Sequence, residues 1–182
     1  MKRVLVMTLL LGAGLWPAKP GRGKVTRAAM AAMETSFDHR IAKLNVEDPF
    51  DLLGTTRGLY LGGYGAVFTA EVGLIVTPPI TPFRPSISKE EIAKVRERKL
   101  AQVPRLRQAM RDMLVASAAS LDMVPPEEQI VVGVTLFHYT WEDWRGMPGQ
   151  VVMQAQRKTL LDYQAGRIPS AALDAAIQTE EL

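Results

Sequence analysis

Between Arg57 and Val76 the chain alternates. From Ala66 onward, Ala66, Phe68, Ala70, Val72 and Leu74 fall on one side, and Val67, Thr69, Glu71, Gly73 and Ile75 on the other. A period of two is the signature of a strand, and only the first set is uniformly apolar, so that set is expected to face the core. A shorter extended run, Gly58 to Leu61, precedes it. Gly62-Gly63-Tyr64-Gly65 joins the two. Glycine reaches the positive φ that tight hairpin turns require, so the pair reads as a β-hairpin.

Elsewhere the period is helical. Met30, Met33, Phe37, Ile41 and Leu44 recur every three or four residues and predict a helix from Thr26 to Leu44. Asp48-Pro49-Phe50-Asp51 is turn chemistry. After Val76, prolines at 78, 79, 82 and 85 end the strand and read as a stiff extended strap. Ser88-Lys89-Glu90-Glu91 has the form of a capping box and opens the longest helix. Its stripe runs through Ile92, Val95, Leu100, Val103, Leu106, Met110, Met113, Leu114 and Leu121. Pro104 interrupts the stripe and predicts a kink, or two helices meeting there. Pro125-Pro126 stops it.

Gln129 to Thr140 is the second strong strand, apolar through nearly all its length. Gln150 to Arg157 alternates and reads as a half-exposed strand. A short helix from Lys158 to Ala165 ends at Gly166, and a last one is predicted from Ser170 to about Thr179. The pattern predicts an α+β domain. Two β-hairpins would form a four-stranded, mostly antiparallel sheet packed on the long helix, with N- and C-terminal helices.

The first 18 residues change the picture of where the chain goes. Lys2 and Arg3 precede an apolar run from Val4 to Trp16, the layout of a secretory signal peptide. That run of 13 residues is short of the ~20 needed to span a bilayer. Residues 19–25 read as a flexible basic linker and 26–182 as one domain. Export to the periplasm or the medium of a bacterium is the expectation, with no transmembrane span in the mature chain. The cleavage position is open between Gly14 and Ala18.

Charge and composition then exclude classes. Net charge is +3, but six of the 22 basic residues lie in 1–27 with no acid among them. The remainder holds 16 basic against 19 acidic residues, which removes the global basic charge a nucleic-acid binder would show. No cysteine is present, so disulfides, thiolate metal sites and a cysteine nucleophile are excluded. No GxSxG elbow, HExxH, Walker loop or dinucleotide fingerprint occurs. The Gly62–Gly65 turn lies between strands, so it lacks the helix dipole of a phosphate loop. No cofactor or metal is implied.

Three candidate sites remain. His138, Tyr139, Trp141, Glu142, Asp143 and Trp144 form the richest local set. As an aromatic surface, Tyr64, His138, Tyr139, Trp141 and Trp144 would bind an envelope protein or a small ligand, tryptophan burying much area at low entropy cost. As a hydrolase-type site, His138 would act as general base with Glu142 or Asp143. Third, the polar face of the long helix carries Arg96, Arg98, Lys99, Arg105, Arg107 and Arg111. These would either pair with Glu90, Glu91, Glu97 and Asp112 on a solvated face or bind an anionic surface. The expectation is a non-catalytic binding or structural module of the cell envelope.

Overall fold

The computed structural model describes residues 24–77, 79–83 and 86–182. The signal-peptide reading of residues 1–18, and all of the linker before Lys24, lie outside the described residues.

Helix α1 spans Arg27–Ala42, and the Thr26 hydroxyl caps it by accepting from the Ala29 amide at 3.2 Å. The stripe read from the sequence is the face it buries: Met30, Met33, Phe37 and Ile41 are all inside. Strand β1, Asp51–Leu52, follows the turn; β2, Arg57–Leu61, and β3, Gly65–Gly73, make the expected antiparallel hairpin. The Tyr64 amide closes its turn on the Leu61 carbonyl at 3.0 Å. Gly65 has φ +145°, and a Cβ there would fall 1.9 Å from the Gln129 carbonyl oxygen, so only glycine lets the two backbones meet. Ala66, Phe68, Val72 and Leu74 are buried, with Phe68 edge-on to Phe37 at 4.9 Å.

Helix α2, Lys89–Ser120, carries both halves of the capping box, with Ser88 and Glu91 exchanging bonds at 3.2 and 3.3 Å. It runs as one helix through Pro104, whose missing amide lies on the exposed side. Strands β4, Gln129–Phe137, and β5, Gln150–Gln156, form the second antiparallel hairpin. Helix α3, Arg157–Gln164, then α4, Ser170–Ala176, and strand β6, Gln178–Glu181, complete the chain.

Among the described residues the sheet has six strands, not four. Its order is β1-β3-β4-β5-β6, with β2 also on β3. The two hairpins join through a parallel pair, β3 with β4, at the centre. A 32-residue helix lies between these strands in sequence, and a crossover of that length returns the chain in the same direction. The last helix stops at Ala176 instead of Thr179. Leu173 is the only residue it buries, and the chain beyond gains backbone bonds along β5 as β6.

The four helices of the described residues contribute to one core, and that core takes only one face of the sheet: Phe68 and Val72 from β3, Val132 and Val134 from β4, Val151 and Met153 from β5. On the other face Thr69, Glu71 and Thr135 are exposed. Glu71 therefore faces away from the helices. The β2 edge is covered by side chains of α1. Asp38 accepts from the Thr56 amide at 2.8 Å, Glu34 from the Gly58 amide at 2.6 Å, and Arg27 donates to the Gly58 carbonyl at 3.2 Å. Arg27 also pairs with Glu34 at 2.6 Å and, by donating to it, holds that carboxyl below its ordinary range against the opposing effect of burial.

Candidate functional site

Strand β4 delivers its C-terminal end to a twelve-residue loop, 138–149, before β5 begins. Two tight turns shape it: Glu142 amide to Tyr139 carbonyl at 3.0 Å, and Met147 amide to Trp144 carbonyl at 3.1 Å, with Gly146 at φ +76°. The loop is fastened from below by Lys99 of α2, whose ammonium donates to the Glu142 carboxylate; both side chains are 1% exposed. Lys99 also donates to the Phe137 carbonyl at 3.4 Å and lies 5.3 Å from the Trp144 ring centroid. The second Glu142 oxygen accepts from the Tyr139 amide at 3.3 Å and the Thr77 hydroxyl at 3.4 Å. Each charge thus has its counter-charge and further bonds, the condition under which a buried pair persists.

Asp143 is occupied differently. Arg145 grips it with two guanidinium bonds, at 2.9 and 2.8 Å, and with its amide at 3.2 Å. Those bonds hold the Asp143 carboxyl far below the usual carboxylate range. Arg96 adds a 3.7 Å contact to Asp143 and donates to the Arg145 carbonyl at 2.8 Å.

His138 is exposed and stacks on Trp144, ring centroids 4.3 Å apart and 15° from parallel. It makes no ion pair with Glu142 or Asp143, which take their cations from Lys99, Arg145 and Arg96. Among the described residues no group of three His, Asp or Glu side chains could hold a metal. On the other side of the strand end, Phe137 meets Tyr139 edge-on at 5.0 Å, and Tyr139 stacks on Trp141 at 6.0 Å and 9°. Tyr139 and Trp141 are half-buried, and the indole N–H groups of Trp141 and Trp144 are buried without a hydrogen-bond partner among the described residues. The loop therefore presents a ladder of aromatic rings on a rigid base.

Tyr64 does not belong to it. It precedes β3, where its carbonyl accepts from the Gln129 amide at the start of β4, whereas Trp141 follows the end of β4. Nine strand residues at about 3.3 Å each separate them by roughly 30 Å. Tyr64 instead reaches across β4 to give its hydroxyl to Gln154 of β5 at 2.9 Å.

The helix arginines find acids: of the expected ones Asp112 lies 3.7 Å from Arg111, but the shorter pairs are made with acids off the helix. Arg98 pairs with Asp48 before β1 and Arg107 with Glu181 of β6, each at 2.6 Å. Arg111 pairs with Asp174 of α4, also at 2.6 Å, and has Arg96 as its counterpart on the loop at Asp143. Four peripheral elements are thereby tied to α2. Arg105 is exposed and makes no ion pair among the described residues.

Sequence reasoning placed Lys99 on the polar face, yet it is buried. The signal was there: Lys99 lies four residues after Val95 and four before Val103, inside the apolar stripe, and a cation there demands a buried acid. No family model matches the chain, and neither the curated proteins nor the solved structures contain a match to it. No helix among the described residues is long and apolar enough to cross a membrane.

Proposed function

We propose that this chain is an exported, non-catalytic binding module of a bacterial cell envelope, and that it holds its partner on the aromatic ladder at the end of β4. The observation that carries this reading is the division of labour in the loop. Lys99 and Arg145 engage both nearby carboxylates, leaving His138 without the acid partner a general base needs, while Tyr139 and Trp141 stand stacked and partly exposed. Stacked aromatics on a rigid support offer contact area with little entropy left to lose. The charged-then-apolar order of residues 2–16 supports export.

The test is a pull-down from the native envelope with wild type and a Tyr139→Ala/Trp141→Ala variant. Trp144 stays, because it stacks under His138 and Lys99 and its loss would loosen the base. The expected result is a partner retained by wild type and lost by the variant. Identical sets from both, or a chain recovered from the cytoplasm with Met1 in place, would overturn the reading.

A further inference from the structure

Among the described residues, no helix covers the far face of the sheet, and Thr69, Glu71 and Thr135 are exposed on it. We propose that it is the interface of a homodimer, two copies stacked face to face about a twofold axis running along β4.

The register supplies the argument. One row across the sheet reads Arg57, Thr69, Gly133, Val152, Glu180. Arg57 lies two strands to one side of β4 and Glu180 two strands to the other, and both are exposed. A twofold along β4 exchanges the sides and keeps the rows. It sets Arg57 of each copy against Glu180 of the other, giving two opposite-charge pairs. In the same arrangement Thr69 meets Val152, Val67 meets Gln154 and Glu71 meets Gln150, and Gly133 lies on the axis; Val131 is already buried within its own copy. No two like charges stand opposed. Turning the axis by a right angle about Gly133 would set Arg57 against Arg57 and Glu180 against Glu180, which repel. The charges thus select one of the two in-plane twofolds.

Tyr64 fits the same axis. It is 45% exposed and bridges from the start of β3 to Gln154 on β5, so its ring lies over β4, where it would meet its copy. Leu59, 48% exposed on this face, loses water in the same contact. Growth through the edges is opposed. Asp38, Glu34 and Arg27 already satisfy the outward groups at Thr56 and Gly58, and β6 is four residues long and acidic at 180 and 181.

Size sets the strength. Five strands about 4.8 Å apart and seven residues long at about 3.3 Å project roughly 24 by 23 Å. Both copies together bury on the order of 1,100 Å², at the lower end of specific interfaces, so association should be in the micromolar range. The dimer does not depend on what the aromatic ladder binds: molar mass reads the one and partner capture the other.

The experiment measures the mass of the full chain by sedimentation from low to high micromolar concentration. A reversible twofold mass is expected. Arg57→Glu and Glu180→Arg should each weaken dimerisation at least about tenfold, since each reversal turns both symmetric pairs repulsive, and the combined variant should restore it. Both positions are exposed, and circular dichroism checks that the variants fold. A monomer throughout, a dimer indifferent to the reversals, no rescue in the folded combined variant, or an open-ended series of larger oligomers would each overturn the proposal.

Discussion

Arg98 and Lys99 are neighbours on one helix, and they meet opposite fates. Arg98 is half exposed and pairs with Asp48 at 2.6 Å across the surface. Lys99 is sealed in, with Glu142 as its counter-charge. The residue types are nearly alike; one step around the helix decides between water and core. The difference predicts that the two pairs hold the molecule together in different ways. The exposed pair gains modest Coulomb energy in high dielectric. The buried pair has lost its hydration and is committed to its partner.

The largest effect should come from breaking the buried pair on one side. Glu142→Gln leaves Lys99 charged and dry, and should cost about 3–5 kcal/mol in urea unfolding. Trp144 lies against Lys99, so its fluorescence should report a loosened loop before global unfolding. Replacing both partners with apolar residues, Lys99→Met with Glu142→Leu, should recover most of that loss, because no charge is then left stranded. If the double variant is as unstable as the single, the pair acts through its bonds to Thr77, Tyr139 and Phe137 and not through charge compensation.

Glu34 stands between the two extremes: its side chain is 11% exposed, while its partner Arg27 is 63% exposed. Its folded pKa is lowered, chiefly by the Arg27 bond and in part by the Gly58 amide. The unfolded chain therefore binds more protons between the lowered value and the ordinary one near 4.3, and stability rises with pH through that window. The contribution is fully present above about pH 4.3 and is lost as pH falls through the folded pKa. Glu34→Gln should lower the plateau and flatten that acid limb, read from unfolding midpoints in a pH series. Wild type and variant with parallel profiles would show that the Arg27–Glu34 pair does not contribute to acid sensitivity.

These contrasts also mark where the sequence was readable. The α1 stripe, the Ser88–Glu91 box, the Gly62–Gly65 turn and the core face of Phe68 and Val72 are local patterns, and each is found in the fold. Strand direction is not local. Alternation in β3 and β4 says which side chains face in, but nothing about whether the strands run together; only the long helix between them carries that information. The predicted last helix overlaps the first two residues of β6 because Ser170–Thr179 offers few apolar residues to either structure, and the strand form depends on β5 lying beside it. The arginine partners were out of reach for a similar reason. Arg98, Arg111 and Arg107 bond acids 50, 63 and 74 residues away, whereas spacing rules on one helix see only neighbours three or four residues off. At the site, the aromatic and acidic residue types were visible, but their grouping was not: Tyr64 and Trp141 sit at opposite ends of β4.

The smallest effect tests the surface side of the comparison. Arg98→Ala removes two bonds to Asp48, at 3.1 and 2.6 Å, and leaves the Asp48 carboxylate free to rehydrate. The expected loss is about 0–1 kcal/mol, shrinking further as salt rises, since solvent-exposed charges are screened within about 10 Å at 0.1 M. The geometry is a two-pronged fork, which favours the upper end of that range. The Asp48 carbonyl is also held from α2 by Gln102, at 3.0 Å, so the loop before β1 keeps one tether when the guanidinium is gone. Arg98→Ala with Gln102→Ala should therefore lose more than the sum of the two single changes, because either tether alone restrains the same loop. Additive losses, or an Arg98→Ala cost that persists at high salt and approaches that of Glu142→Gln, would erase the distinction between the two cations of this helix.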